Sequence, residues 1–234
     1  MLLVVFDVDG TLVDSQEIIV AAQRDAFAAC GLRAPSRERS LSIVGLSLHE
    51  AFTALVGPKG PIEALAEAYK DAFGRLRADP ACAEPLFPGA AETIRLLSAR
   101  QDVVLGIATG KSRRGVAHLL ERHGWEHTFR TIQTADDAPS KPDPGMLLRA
   151  LAETGSVPDG AVMVGDTTFD MAMARAAGIR PVGVSWGYHP VPALREAGAE
   201  IVIDGFDELE PALRGQAGLG RDRPDAAGDR VAAA

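Results

Sequence analysis

The 234-residue sequence lacks a long apolar run, and no stretch approaches the roughly 20 apolar residues that a membrane-spanning helix needs. It also lacks an excess of positive charge, because its 32 acidic residues outnumber its 24 lysines and arginines and the formal net charge is −8. An excess of acid argues against nucleic acid or an anionic membrane as a main partner. The first residues, MLLVVF, have neither a basic start nor a cleavage site, so no signal peptide is predicted. We therefore expect a cytoplasmic protein.

Cysteine is scarce, since Cys30 and Cys82 are the only two, and their spacing matches no metal-binding motif. In a chain without a signal peptide, two free thiols are expected rather than a disulfide. Apolar residues are plentiful at 47% of the chain, which excludes a disordered protein and allows a sizeable core.

Several short apolar runs each end in a polar or glycine-containing cluster. The runs are continuous rather than alternating, as expected for strands buried on both faces of a parallel sheet. Helical patterns lie between them, so the predicted fold is α/β, with a doubly wound, mainly parallel sheet and a Rossmann-like core. The runs are LLVVF before Asp7, VVLGIA before Thr109, AVMVG before Asp166, PVGVSWG at 181–187 and EIVID at 200–204, and the helical patterns cover 90–100, 113–124, 144–155 and 169–178.

One segment breaks the alternation of strands and helices. Residues 16–84 separate the first strand from the rest of the sheet, which is far too long for a strand–helix loop, and they carry helical patterns. We predict an inserted helical cap domain that can act as a lid, joined by linkers near 14–16 and 83–88. The predicted core then comprises 1–15 and 85–214. Residues 215–234 contain few large apolar side chains and are predicted to be a disordered tail.

Acidic residues follow two of the predicted strands at the point where each strand ends. Asp7 and Asp9 are two residues apart and can face the same way, where their charges repel unless a cation intervenes. Asp166 follows another strand, with Asp170 one helical turn later. Each pair alone could be solvated loop acids or helix caps. Brought together at one edge of a parallel sheet, they form the oxygen cluster that suits Mg²⁺.

Two further motifs suit a phosphate group beside that metal. ATGK places the Thr109 hydroxyl and the Gly110 N–H at a strand end, where both can donate to phosphate oxygens. APSKPDPG places Lys141 in a rigid, proline-rich loop that can aim its ammonium group. The stretch LGIATGKS is not a nucleotide-binding P-loop, because Leu105 stands where that motif needs its first glycine.

In this order, DVDGTLVDS, ATGK, SKPDPG and GDTTFDMAMARAAG resemble the four motifs of the haloacid dehalogenase superfamily, across residues 4 to about 207. The resemblance is greatest to phosphoglycolate phosphatase and its relatives. It implies a Mg²⁺-dependent phosphomonoester hydrolase that acts on a small phosphorylated metabolite, as a monomer or homodimer. It also implies that the helical insertion is a four-helix cap.

The resemblance implies a role for each acid. Asp7 would be the nucleophile and form an aspartyl-phosphate, while Asp9 would act as general acid and then as general base. Asp7, the backbone carbonyl of Asp9, and Asp166 would hold Mg²⁺. Asp170 would orient these ligands without binding the metal itself, or it would replace a water bound to the metal.

It also implies how phosphate is bound. Thr109, Gly110 and Lys141 would hold the phosphoryl oxygens, and Gly10 would let the backbone approach the phosphate closely. The Lys141–Pro142 peptide bond is expected to be cis, as it often is in relatives.

Departures from the motifs bear on which reaction is catalysed. The dehalogenases lack an acid two residues after the nucleophile, so Asp9 favours phosphoryl transfer over carbon–halogen hydrolysis. The related sugar-phosphate mutases carry a cap arginine in G-x-S-R, whereas this chain has GLSL, with Leu48 in that place. The mutase remains the alternative hypothesis, together with other small-molecule phosphatases such as a pyrophosphatase or nucleotidase.

Overall fold

The computed structural model describes residues 1–79 and 82–214 of the chain. A six-stranded sheet has the order β3-β2-β1-β4-β5-β6, and all its neighbouring strands are parallel. This order confirms the predicted doubly wound fold. Its strand order reverses at β1, the place where such sheets bind ligands. The strands are β1 (Leu2–Phe6), β2 (Val103–Ala108), β3 (Thr131–Gln133), β4 (Ala161–Gly165), β5 (Arg180–Val184) and β6 (Ile201–Ile203).

Helices cover both faces of the sheet. Successive side chains of β1 point to opposite faces, so Val4 belongs to the apolar cluster of one face and Val5 to that of the other. Both clusters are buried, which is why β1 is a continuous apolar run rather than an alternating one. The core helices are α5 (Ala90–Ser98), α6 (Arg113–His123), α7 (Gly145–Thr154), α8 (Thr168–Ala176), α9 (Val191–Glu196) and α10 (Leu209–Arg214).

Several short elements were not predicted from the sequence. Strand β3 has three residues, TIQ, two of them polar, so it carries no apolar run that would mark a strand. Helices α9 and α10 have six residues each, too few for a clear helical period. The strand predicted at 181–187 ends earlier, at Val184, because the following residues turn back toward the end of β1.

Four helices lie between β1 and α5, within the predicted insertion. They have an apolar cluster of their own, in which the rings of Phe27 and Phe52 lie 6.2 Å apart and those of Phe52 and Tyr69 lie 5.9 Å apart. Such a cluster is what an inserted helical unit needs in order to pack separately from the sheet. The predicted tail at 215–234 lies outside the described residues. The four helices are α1 (Gln16–Ala29), α2 (Arg37–Leu41), α3 (Leu48–Val56) and α4 (Ile62–Leu76).

The two linkers of the insertion run side by side just beyond β1. The N–H of Asp14 donates to the carbonyl of Pro85 over 2.8 Å, and the N–H of Phe87 donates to the carbonyl of Leu12 over 3.0 Å. Entry and exit of the insertion are therefore tied to each other beside the strand ends. Within the described ranges, no helix combines the length and the apolar character that crossing a membrane requires.

Candidate active site

Three carboxylates meet beyond the ends of β1 and β4. One oxygen each from Asp7, Asp166 and Asp170 lies within 4.8 Å of the others, and all three residues are buried. The pairing of β1 with β4 causes this, because Phe6 lies opposite Val164 and the next residue of each chain continues beyond its strand. The structure thus brings Asp166 and Asp170 to Asp7 at one point, where the sequence predicts Asp7, Asp9 and Asp166.

Asp166 is held by contacts that the sequence did not reveal. Thr11 Oγ1 donates to its Oδ1 over 2.8 Å, and the N–H of Tyr188 donates to its Oδ2 over 2.9 Å. A Cβ at Gly10 or at Gly187 would overlap the Asp166 side chain, and Gly10 also has a φ of +86°. The carboxylate therefore lies between two backbone segments that only glycine allows to come so close.

Lys141 joins this cluster from the proline-rich loop. Its Nζ lies 2.6 Å from Asp170 Oδ1 and 2.9 Å from Asp7 Oδ1, and its side chain is fully buried. The Lys141–Pro142 bond is cis, which confirms that expectation. The other oxygen of Asp170 accepts from the N–H and the hydroxyl of Thr167, which is the N-cap of α8. Asp170 therefore orients Lys141, while Thr167 rather than Asp166 caps the helix.

The charges of the cluster do not balance within the described part of the chain, where three buried carboxylates share one lysine. Burial raises the pKa of Asp7 to about 7, although Lys141 opposes the rise and Asp170 adds to it. Burial and the charges of Asp170 and Asp7 also raise the pKa of Asp166 well above its usual range. Asp7 Oδ2 has no hydrogen-bond partner among these residues, and Oδ1 has only the ion pair with Lys141. Buried carboxylate oxygens with so few partners are the donor set that suits a hard divalent cation.

Thr109 and Gly110 follow β2 on the other side of β1. The Thr109 side chain is buried, and its Oγ1 accepts a 3.2 Å hydrogen bond from the N–H of Lys111. A Cβ on Gly110 would overlap the carbonyl oxygens of Gly45 and Leu46 in the insertion. Gly110 therefore lies at a close approach of the insertion to the core, in addition to its predicted place beside the phosphate.

Asp9 lies apart from the three-carboxylate cluster. Its Oδ1 accepts a 2.8 Å hydrogen bond from Lys111 Nζ, and the same ammonium donates to Glu84 Oε1 over 2.9 Å. Sequence reasoning missed both Lys111 and Glu84. The motif ATGK contains Lys111, but nothing in the local sequence points to Asp9 or Glu84 as its partners.

Two cavities meet at Asp9. A small one of about 50 Å³ is bounded by Asp7, Thr109 and residues of the insertion. A larger cleft of about 420 Å³ lies between helices α3 and α4 of the insertion and helix α6 of the core. Asp9, Gly110 and Lys111 border both cavities. A molecule bound with one end at Asp7 would thus have its other end in the cleft, and Asp9 would lie at the junction.

Comparison with known proteins gives consistent matches over most of the chain. Residues 4–184 match the family described as haloacid dehalogenase-like hydrolase. The "Probable phosphatase IndB" of Dickeya dadantii is 35% identical, over 88% of this chain and 91% of that protein. "Phosphoglycolate phosphatase 1" of Pseudomonas aeruginosa is 32% identical, over 89% of this chain and 78% of that protein. The crystal structure of a hydrolase from Pseudomonas syringae superposes with a TM-score of 0.80 at 27% identity, covering 92% of this chain and 99% of that one.

Proposed function

The chain belongs to the haloacid dehalogenase-like hydrolase family and is a phosphatase, and we propose that it hydrolyses small phosphomonoesters with Mg²⁺ through an aspartyl-phosphate at Asp7. The observation that carries this proposal is the buried cluster of Asp7, Asp166 and Asp170, which shares a single lysine. A carboxylate beside a cation site can attack phosphorus, and Asp9 lies two residues away at the entrance of the larger cleft.

Asp7, Asp166 and the backbone carbonyl of Asp9 would hold the metal, with Asp170 behind them. Asp7 Oδ2 fits this assignment, because a cation would provide the partner that the described residues do not. Mg²⁺ is the expected ion, since it prefers a few hard oxygen ligands and keeps several waters. When bound, it supplies positive charge that neutralises the phosphoryl oxygens during transfer.

In the first step, an oxygen of Asp7 attacks phosphorus and the bond from phosphorus to the substrate alcohol breaks. Asp9 acts as the general acid and gives a proton to the departing oxygen. Lys141 and the Thr109 hydroxyl hold phosphoryl oxygens, where their positive charge and hydrogen bond stabilise the transition state. The alcohol leaves, and the phosphoryl group remains on Asp7.

In the second step, Asp9 is a carboxylate and takes a proton from a water molecule. That water attacks phosphorus, the bond between phosphorus and Asp7 breaks, and inorganic phosphate is released. Asp7 returns as a carboxylate and Asp9 as an acid. The cavity over Asp7 is small, about 50 Å³, so it holds little more than the phosphoryl group and the attacking water.

We propose phosphoglycolate as the first substrate to test, because a relative over most of this chain is named a phosphoglycolate phosphatase. The mutase alternative is disfavoured by Leu48. This residue borders both cavities and offers no positive charge to a second phosphate group. Pyrophosphate and nucleoside monophosphates represent the other phosphatase alternatives.

A phosphatase panel with the purified protein tests the proposal. We expect hydrolysis of phosphoglycolate and of p-nitrophenyl phosphate with Mg²⁺, and none in excess EDTA. Ca²⁺ should not replace Mg²⁺, because it takes more oxygen ligands at longer distances. Activity that persists in EDTA would overturn the metal assignment.

Replacement of the nucleophile is the matching control. Asp7→Asn should abolish turnover, since an amide is not a nucleophile here, while the folded state survives because one of three repelling charges is removed. Circular dichroism checks the fold, and release of inorganic phosphate measures turnover. Hydrolysis by the variant above the background of a mock purification would refute the role of Asp7.

A further inference from the structure

Lys111 connects Asp9 to the exit linker of the insertion. Its Nζ donates to Asp9 Oδ1 over 2.8 Å and to Glu84 Oε1 over 2.9 Å. Its side chain is 9% exposed, and those of Asp9 and Glu84 are 12% and 11% exposed. Burial lowers the pKa of Lys111, but the two carboxylates more than offset that effect and raise it. The lysine therefore stays charged and well anchored between its two partners.

The surroundings of Lys111 fix the side chain in this position. Its stem passes over Gly115, where a Cβ would come within 2.9 Å of Lys111 Cγ. Its ammonium lies 5.1 Å from the ring centroid of Phe73, on helix α4 of the insertion. Arg77 at the end of the same helix lies 3.7 Å from the other oxygen of Glu84. The network thus runs from the site loop to the insertion.

Resting on the proposed function, we propose that Lys111 is a positioning residue that holds the Asp9 carboxylate at the leaving-group side of the site and ties that position to the linker through Glu84. Lys111 engages Oδ1 of Asp9, which leaves Oδ2 as the oxygen to face the substrate. Oδ2 is therefore the oxygen that carries the proton to the departing alcohol. Asp9 borders both cavities, so a substrate that extends from one to the other would pass beside it.

Two aryl phosphates of similar size separate this role from a merely structural one. p-Nitrophenolate leaves without help from an acid, whereas phenolate is a poorer leaving group and gains more from proton donation. In Lys111→Met, we expect the ratio of kcat/KM for phenyl phosphate to kcat/KM for p-nitrophenyl phosphate to fall by about tenfold or more. General acid catalysis contributes roughly 10²–10⁴-fold, so a misplaced acid forfeits part of that factor. When phosphoryl transfer to the enzyme is irreversible, kcat/KM reports only the steps up to that transfer. The later hydrolysis of the phosphorylated enzyme therefore does not affect the ratio.

Three further variants are the controls. Lys70→Met removes a lysine that borders the same cleft but pairs with Glu67 on the surface, and it should leave the ratio unchanged. Lys111→Arg keeps the charge and both donors, and it should restore part of the ratio. If Lys111→Met does not fold, the same ratio is measured in the double variant Lys111→Met, Glu84→Gln. The second substitution removes the charge of the Glu84 carboxylate, which has lost its lysine.

The outcomes distinguish this inference from the proposed function. A wild-type protein that hydrolyses neither ester with Mg²⁺ overturns both. An active wild type whose Lys111 variants lose the two activities equally, or lose neither, overturns the positioning role alone. A ratio that falls in Lys70→Met as much as in Lys111→Met also overturns it.

Discussion

Lys141, which is buried, and Lys111, whose side chain is 9% exposed, each bridge two carboxylates, but they do so in different parts of the molecule. Lys141 joins Asp7 to Asp170, and both partners belong to the core. Lys111 joins Asp9 to Glu84, and Glu84 belongs to the linker that leads out of the insertion. The first bridge joins residues of the core to each other, whereas the second crosses from the core to the linker of the insertion.

The difference suggests how the two acids of DVDG are used. Asp7 is paired with a lysine whose two carboxylate partners both belong to the core. Asp9 is paired with a lysine whose other partner belongs to the linker. On the proposed function, the nucleophile is therefore paired within the core, while the general acid is paired with a lysine that also binds the linker of the insertion.

The largest expected effects on stability and activity come from replacing each of the two lysines by methionine. Lys141→Met strands two fully buried acids, which is expected to destabilise the fold by about 3–5 kcal/mol when no metal is present. It should also lower kcat by about 10²-fold or more, because a charge on the transferring phosphoryl group is lost. Lys111→Met should cost less stability, since solvent reaches both of its acids.

Urea unfolding in EDTA compares the two variants without a cation that could replace the lost charge, and steady-state assays with Mg²⁺ compare their activities. The two bridges differ as argued only if Lys141→Met is the less stable and the less active. Equal losses would mean that the core bridge and the linker bridge are energetically equivalent.

The position of the proposed metal ligand Asp166 can be changed without removing any charged group. Gly10→Ala places a Cβ against the Asp166 carboxylate at a backbone φ of +86°, so either the loop or the carboxylate must move. We expect at least about a tenfold loss of activity and a higher Mg²⁺ concentration for half-maximal rate, since a ligand displaced by a fraction of an ångström loses much of its binding.

Gly31→Ala is the matched control for that variant. Gly31 also has a positive φ, +67°, but a Cβ there would meet nothing within 4 Å in the described part of the chain. It should therefore show only the strain of the left-handed backbone, about 1–2 kcal/mol, with unchanged Mg²⁺ dependence. A shift of the Mg²⁺ titration in both variants would attribute the effect to backbone strain rather than to Asp166.

The sequence predicts elements and strand ends better than it predicts partners. Continuous apolar runs before Asp7, Thr109 and Asp166 correctly predict three buried strands, and their shared edge follows from the parallel fold. Lys141 stands out because its neighbours are prolines. Lys111 has no such local signal, and its partners Asp9 and Glu84 lie 102 and 27 residues away in the chain.

The contacts of Asp166 could not be predicted for the same reason. Thr11 lies 155 residues from it, and Tyr188 donates through its backbone, which carries no signature of side-chain type. Folding decides which polar groups meet once the strands have paired. A local pattern can therefore identify a residue that ends a strand, but it cannot identify the residue that will bind its free oxygen.

The smallest expected effect concerns Tyr188, which contacts both Asp166 and Ser15, the residue before the insertion's first helix. Its backbone N–H donates to Asp166, while its hydroxyl lies 3.1 Å from the N–H and 3.0 Å from the Oγ of Ser15. Tyr188→Phe keeps the first contact and removes the second. It should destabilise the protein by about 1–3 kcal/mol, because the buried Ser15 N–H loses its acceptor, and change kcat only a few-fold.

Ser15→Ala separates the two hydrogen bonds of that hydroxyl. It removes the Oγ contact and leaves the N–H bonded, so its loss of stability in urea should be smaller than that of Tyr188→Phe. Because the N–H of Tyr188 still holds Asp166 in both variants, the Mg²⁺ titration should not move in either. A shift of the Mg²⁺ titration in Tyr188→Phe would mean that the entry linker and the metal side are coupled through this residue. The insertion would then act on both acids of DVDG rather than on Asp9 alone.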